Sequence, residues 1–202
     1  MCTDIKKIVI GISGASGVHL GLKLIQSLPE SMELFIIISE GAKEVAYHEN
    51  KKDIKKELEI LLQGRSFYIF DENEMSSCIA SGSFGIDAMA IVPTSMNLLA
   101  KIANGLCDDL LSRCASVMLK ERRILLLAPR EMPLSAIALE QMSKLAQLGV
   151  IIAPPIVAYY AKAQDIDSME LFFVGKWLDA LGIQNNLYKR WENLYTNTSI
   201  KR

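Results

Sequence analysis

Short apolar runs alternate with longer amphipathic segments along this chain, and the alternation limits the possible folds more than any other feature. Five runs have the length and composition of buried strands: Ile8–Ile12, Leu34–Ile38, Met89–Val92, Ile124–Ala128 and Val150–Ala153. A weaker strand is predicted at Phe67–Phe70. Strands that alternate with helices favour a parallel sheet. We therefore predict an α/β fold: a three-layer, doubly wound, Rossmann-like or flavodoxin-like sheet with helices on both faces.

The segments between these strands have the spacing of helices. The predicted helices are Val18–Leu28, a long stretch over Ala42–Leu62 that breaks near Asn50, Leu98–Ala103, Asp108–Leu119, a helix capped by Ser135 that runs to Leu148, and Ser168–Leu181. The chain shows neither an internal repeat nor a linker. We expect residues 1–202 to form a single domain with a polar C-terminal tail at about 184–202.

Composition narrows the classes of partner. Half of the 202 residues are hydrophobic, and the mean hydropathy of +0.23 indicates apolar surface buried between subunits. A net charge of −1 favours neither nucleic acid nor an anionic membrane as a partner. No apolar run approaches the roughly 18 residues of a membrane span, and no signal peptide precedes the first strand. Four cysteines without a CxxC pair and two histidines predict no metal site, reduced thiols and a cytoplasmic protein.

Small and polar residues follow several predicted strands at the points where they end. The first strand runs into the turn Ser13–Gly17, the second ends at Ser39, and the third ends in Pro93–Asn97. The carboxyl ends of parallel strands meet at one edge of a sheet, where ligands bind. Backbone N–H groups of the first turn can approach a phosphate at a helix start. The turn matches neither GxGxxG nor a P-loop, so its spacing alone leaves tight packing as an alternative.

Residues 119–140 gather charges around one apolar strand. Lys120 precedes the strand, together with two arginines, and Arg130 and Glu131 follow it directly. An arginine beside a carboxylate at a strand's carboxyl end offers an anion clamp and a general acid or base; the alternative is surface charge around a core strand. Arg113 and Lys120 are seven residues apart, roughly 10.5 Å along one helix face. They can hold one anion or two neighbouring ones, or form a solvated charge stripe.

Taken together, the motifs of this chain resemble one family. In chain order they are Gly11–Gly17 (GISGASG), Ile79–Phe84 (IASGSF), Leu119–Arg123 (LKERR), Pro129–Leu134 (PREMPL), Pro154–Pro155 with Tyr160, and Leu178–Ile183 (LDALGI). They run over about residues 6–191 and are specific only in combination. The chain resembles the UbiX-type flavin prenyltransferases, which include the Pad-type proteins once described as phenylacrylate decarboxylases.

The resemblance implies an activity. Such an enzyme transfers a dimethylallyl group from dimethylallyl monophosphate to N5 and C6 of reduced FMN, without a metal, and makes prenylated FMN for a UbiD-type decarboxylase. It also implies a homododecamer with sites at subunit contacts.

Matching motifs also imply residue roles. Residues implied to hold FMN are Gly14, Ala15, Ser16, Ser39, Ser95, Met96, Asn97, Leu98 and Arg130. Those implied to surround the prenyl phosphate are Arg113, Lys120, Arg130, Tyr160 and Lys176, with Trp191 closing the pocket. The residues implied to transfer protons are Ser16, Glu49 and Glu131. Helical spacing alone predicts that Glu49 is exposed. Lys176 stands where many members have arginine, so it keeps the charge but lacks the bidentate fork.

Two other functions remain open from the sequence. An FMN-dependent cysteine-decarboxylase-type flavoprotein shares the predicted fold but relies on a histidine near the flavin. A non-enzymatic flavin carrier would bind FMN and need no Glu131.

Overall fold

Six strands form one parallel sheet in the computed structural model, which describes residues 5–190. The strands are β1 (Lys7–Ile12), β2 (Glu33–Ile38), β3 (Phe67–Asp71), β4 (Ala88–Thr94), β5 (Ile124–Pro129) and β6 (Ile151–Ile152). Their order across the sheet is β3-β2-β1-β4-β5-β6, and each neighbouring pair is parallel. The direction of winding reverses between β1 and β4. In open α/β sheets, ligands bind in the crevice at such a reversal.

Seven α-helices in the described part of the chain connect and flank the strands. They are α1 (Val18–Gln26), α2 (Glu40–Asn50), α3 (Ile54–Leu61), α4 (Met96–Asn104), α5 (Leu110–Lys120), α6 (Ala136–Gln147) and α7 (Ile166–Leu181). The break predicted near Asn50 is confirmed, because Lys51 adopts a left-handed conformation and Asp53 caps α3. Helix α7 begins earlier than predicted, since Asp165 forms a reciprocal cap with Ser168.

Successive strand residues point to opposite faces of the sheet, and each face has its own apolar cluster. Ile8, Ile10 and Ile12 belong to the cluster under α1, α2, α3 and α7, whereas Val9 belongs to the cluster under α4, α5 and α6. All four side chains are fully buried. Helices therefore cover both faces, and the predicted doubly wound α/β fold is confirmed.

The first part of the predicted polar tail is packed against α7. Tyr188 and Arg190 both bond the carboxylate of Asp179. A Cβ at Gly175 would lie 2.4 Å from the Tyr188 ring, so only glycine admits this contact. Burial, followed by the nearby Asp179 carboxylate, raises the pKa of Tyr188 to about 12. Residues 184–190 thus extend the folded surface.

The apolar segments of the described chain stay short. Among residues 5–190 there is no helix with both the length and the apolar character needed to cross a membrane.

Candidate active site

A cavity of about 290 Å³ lies where the sheet reverses direction, and we call it the switch-point cavity. Its walls come from the loops that follow β1, β2, β3 and β4, and from α4 and α5. The lining residues are Ser13, Gly14, Ser39, Gly41, Glu72, Ser95, Asn97, Leu98, Lys101, Asp109 and Leu111. Five residues predicted to hold the cofactor, Gly14, Ser39, Ser95, Asn97 and Leu98, are brought together here.

The turn after β1 forms one wall of this cavity. Its start is fixed by the buried Ser13, whose hydroxyl donates to the Pro93 carbonyl (2.9 Å) and accepts from the Ser95 N–H (2.8 Å). A Cβ on Gly14 would meet the backbone of Gly41 at 3.0 Å, so glycine is needed for the turns after β1 and β2 to approach. Gly17 then begins α1 with a φ of 91°. Glycine has no side chain to cap the helix, so the first-turn N–H groups of α1 lack a side-chain cap from this residue.

Two further helices begin at the cavity. Ser39 caps α2 by accepting from Ala42 N–H (3.1 Å), and Ser95 caps α4 by accepting from Leu98 N–H (3.2 Å). Helix N-termini carry partial positive charge and free N–H groups, which suit a phosphate. The start of α1 lies at the same edge of the sheet, three residues after the cavity-lining Gly14.

The charged residues on the cavity wall already have partners within the protein. The Lys101 ammonium contacts the carboxylates of Asp108 (2.9 Å) and Asp109 (2.8 Å), and these contacts raise its pKa. Glu72 accepts from the N–H of Glu40 at 3.2 Å. Because the charge of Lys101 is already balanced, a bound phosphate would depend on main-chain N–H groups and serine hydroxyls. The carboxylates are suited to accept hydrogen bonds from the hydroxyl groups of a ligand.

Glu49 reaches the turn after β1 although it is 32 residues away from Gly17. Both of its carboxylate oxygens lie 3.4 Å from the N–H of Gly17. Ser16 precedes this glycine and is exposed, while Ala15 is buried. The structure therefore places two of the three predicted proton-transfer residues beside the same helix start.

Arg130 and Glu131 lie at the carboxyl end of β5, on the same edge as the switch-point cavity. Both side chains are exposed. The N–H of Arg130 donates to the Thr94 carbonyl (3.3 Å), and Glu131 accepts from the N–H of Met132 (3.0 Å). Thr94 directly precedes Ser95, so the Arg-Glu pair is held beside the start of α4.

Tyr160 and Lys176 belong to a second cavity, about 830 Å³ in volume, which we call the aromatic cavity. The Tyr160 ring packs edge-on against Phe172, with 5.7 Å between ring centroids, and Lys176 Nζ lies 6.0 Å from the Tyr188 ring centroid. The aromatic cavity and the switch-point cavity share no lining residue. The Asp179 carboxylate also lines this cavity, but it is already engaged by Tyr188 and Arg190. A mostly apolar cavity with Lys176 in its wall suits a small hydrocarbon that carries an anionic group.

Arg113 and Lys120 both face the segment between β3 and β4, as their spacing on one helix face predicts. Arg113 Nε donates to the Ala80 carbonyl (3.0 Å), and Lys120 pairs with Glu121 (2.5 Å) beside Gly82. Because α5 runs antiparallel to the strands, Lys120 lies at the amino edge of the sheet, opposite Arg130. Within one chain, Lys120 is therefore not part of the cluster at the carboxyl edge.

Two predicted site residues need separate mention. Met96 packs against the apolar cluster under α4, α5 and α6 and is not among the cavity-lining residues, so its side chain contributes to the core. Trp191 lies outside the described residues.

Sequence reasoning missed Gly41, Glu72, Lys101 and Asp109 in the cavity wall. Gly41 had a usable signal, because it is a glycine in the first turn of a helix that follows a strand. The three charged residues carry no sequence signal of a role in the site, because charged residues on helices and loops are normally solvated.

The fold and this cavity define a doubly wound α/β protein with a nucleotide-type site at its topological switch point. The family model described as Flavoprotein matches residues 2–176. The flavin prenyltransferase UbiX of Helicobacter pylori strain J99 is 51% identical over 185 residues, which cover 92% of this chain and 98% of the relative. The chain belongs to the UbiX flavin prenyltransferase family.

Two solved structures are similar over nearly the whole chain. AnUbiX (PadA1), in complex with FMN and dimethylallyl pyrophosphate, has a TM-score of 0.87 and 37% identity, and the match covers 93% of this chain and 98% of that one. A dodecameric FMN-dependent UbiX-like decarboxylase from Escherichia coli O157:H7 has a TM-score of 0.85 and 36% identity, with coverage of 92% and 99%. Within residues 5–190, no group of three histidine, cysteine or acidic residues is arranged to hold a metal ion.

Proposed function

We propose that this chain is a metal-independent flavin prenyltransferase that transfers the dimethylallyl group of dimethylallyl monophosphate to N5 and C6 of reduced FMN. The observation that carries the proposal is the convergence, at one sheet edge, of three helix starts with Ser16, Glu49, Arg130 and Glu131. Membership of the UbiX family supports the same activity. The product, prenylated FMN, would pass to a UbiD-type decarboxylase.

The switch-point cavity fits the phosphate and ribityl parts of FMN. Main-chain N–H groups at the starts of α2 and α4 suit the phosphate, and Gly14 and the hydroxyls of Ser39 and Ser95 border the same space. Glu72 and Asp109, which line the same cavity, would accept hydrogen bonds from ribityl hydroxyls. Arg130, at the neighbouring strand end, would contact FMN and the prenyl phosphate, and its charge would favour both anionic groups.

We further propose that the site is completed by other copies of the chain in a homododecamer. Lys120 lies at the opposite sheet edge from Arg130, and the aromatic cavity with Tyr160 and Lys176 shares no residue with the switch-point cavity. Large apolar side chains are exposed near both, with 90% of Tyr159 and 87% of Met132 accessible in the single chain. Patches of this kind mark interfaces. Contacts between subunits would bring Arg113, Lys120, Tyr160 and Lys176 to the flavin.

Reduced FMN supplies the nucleophilic atoms N5 and C6, and the protein has three tasks. It must stabilise the phosphate as the allylic C–O bond breaks, which fixed cations do most effectively in a dry site. It must shield the allylic carbon from water, which the aromatic cavity walls can do. It must also deliver a proton to the double bond of the attached prenyl group and accept the proton released from C6 as the C–C bond to C6 forms. Glu131 would carry out that last task, and Ser16 with Glu49 would offer a second proton route.

The remaining parts of the proposal concern the chain as a whole. We propose one flavoprotein domain over residues 1–202, with a tail from about residue 184, in the cytoplasm. Cys78, Cys107 and Cys114 are free thiols, as a reducing compartment requires.

A cysteine-decarboxylase-type activity has weaker support. His19, the histidine nearest the first turn in sequence, bonds Glu170 at 2.6 Å between α1 and α7.

The test of the proposed activity is anaerobic incubation of the protein with reduced FMN and dimethylallyl monophosphate, followed by the absorbance spectrum after exposure to air. A spectrum distinct from that of FMN supports prenyl transfer. Unchanged FMN with decarboxylation of a cysteinyl peptide would favour the other class.

Lys120→Ala and Lys176→Ala should each weaken binding of dimethylallyl monophosphate about tenfold or more while FMN stays bound. Charge-assisted contacts to phosphate are the strong ones, and neither lysine lines the switch-point cavity. Calorimetric titration of the FMN-loaded variants measures the effect. Lys144→Ala, on the exposed surface of α6, is the control and should bind as the unmodified protein does. Loss of FMN with unchanged donor affinity would show that the two phosphates are assigned the wrong way round.

A further inference from the structure

Thr94 closes a break in the hydrogen-bond ladder between β4 and β5. Ile91 pairs with Leu127, but Thr94 pairs with Pro129. Between these two pairs β4 therefore contains one residue more than β5. Such a bulge interrupts the regular ladder. The interruption includes Pro93, which has no N–H group to donate.

The hydroxyl of Thr94 bridges this break. It donates to the Ile91 carbonyl (2.7 Å) and accepts from the Ala128 N–H (3.1 Å), and the residue is completely buried. Buried main-chain groups need hydrogen-bond partners, and an apolar side chain at this position would supply none. One side chain therefore satisfies a polar group on each of two strands.

The same residue also fixes the end of β5. Its carbonyl accepts from the N–H of Arg130 at 3.3 Å, two residues after Ala128. The end of β5 is thus hydrogen-bonded to Thr94 through Ala128 and through Arg130, and Glu131 directly follows Arg130. A shift of this attachment would move both charged side chains relative to the start of α4, where Ser95 is located.

We propose that Thr94 is a positioning residue, which sets the place of Arg130 and Glu131 relative to the flavin without touching it. The inference rests on the proposed function, because it assigns Arg130 to FMN and Glu131 to proton transfer. The observation behind the inference is the hydrogen-bonded bridge from Ile91 through Thr94 to Ala128. None of the proposed binding or catalytic roles explains this bridge.

The experiment compares Thr94→Val and Thr94→Ala, which remove the hydroxyl, with Thr94→Ser, which keeps it. We expect the first two to lower kcat at least about tenfold and to weaken FMN binding severalfold, since displacements of about 1 Å can cost as much as a hundredfold in rate. We expect Thr94→Ser to stay within about twofold of the unmodified protein. FMN affinity is measured by flavin fluorescence, and kcat and KM by single-turnover and steady-state absorbance.

A double-mutant comparison separates positioning from general stability. If Thr94 acts through Arg130, Thr94→Val should add little to the loss of FMN affinity already caused by Arg130→Met. Ser13→Ala is the matched control, because it removes a buried hydroxyl that joins β1 to β4 instead of β4 to β5. Its effect should add to that of Arg130→Met.

Two results would overturn the inference. One is a lower melting temperature in both hydroxyl-free variants with unchanged kcat, KM and FMN affinity, and the other is full additivity of Thr94→Val with Arg130→Met. If the unmodified protein makes no prenylated flavin, the proposed function fails, but the FMN-affinity comparison still decides the role of Thr94.

Discussion

Glu131→Gln should slow formation of the closed-ring product at least about a hundredfold while the protein still assembles and binds both FMN and the prenyl phosphate. Glutamine keeps the size of the side chain but cannot exchange a proton at neutral pH, and positioned acid or base groups contribute about 10²- to 10⁴-fold. Single-turnover absorbance and mass analysis of the extracted flavin measure the rate and reveal any singly attached flavin that accumulates.

Glu140→Gln is the control for this experiment, because Glu140 is an exposed carboxylate on α6, nine residues further along the chain. It should leave the rate unchanged. A Glu131→Gln variant that forms the closed ring at a nearly normal rate would remove this residue from the mechanism. Ser16 with Glu49 would then be the proton route.

Ser16→Asp should abolish retention of FMN. The exposed Ser16 precedes the start of α1, where Glu49 already lies against Gly17, so a second carboxylate would fill an anion site and repel the flavin phosphate. The ratio of flavin absorbance to protein absorbance after purification measures the loss. Ser76→Asp, which adds the same charge at an exposed position before β4, should retain FMN. Full FMN occupancy in Ser16→Asp would show that the turn after β1 is not the flavin site.

Local sequence pattern was sufficient to predict most of the fold. Buried strands such as Ile8–Ile12 have the continuous apolar and β-branched composition that a parallel sheet covered on both faces needs, and the alternation of strands with helices limits the topology. The start of α7 was missed because its cap depends on the reciprocal bonds of Asp165 and Ser168, a pattern without the usual Glu at the fourth position.

The candidate site was predicted where it depends on strand ends and less well where it depends on side-chain contacts. Ser39, Ser95 and Arg130 share an edge because parallel strands end together. Helical spacing predicted that Lys120 shares one face of α5 with Arg113. It could not predict that Lys120, at the end of the helix, lies near the opposite edge of the sheet from Arg130.

Long-range contacts account for the other differences. Glu49 reaches Gly17 across 32 residues, and Lys101 is balanced by two aspartates that follow α4. Pairings of this kind depend on how the helices and loops pack against one another, so a local sequence pattern does not predict them.

The most direct test of prenyl transfer to FMN is the mass of the flavin released after one turnover. The protein is incubated without oxygen with reduced FMN and dimethylallyl monophosphate, and the extracted flavin is analysed by mass spectrometry beside a reaction that lacks protein. We expect a flavin heavier than FMN by one five-carbon prenyl unit, formed only when the protein is present. Recovery of FMN at its original mass, from protein that binds both FMN and the prenyl phosphate, would contradict it.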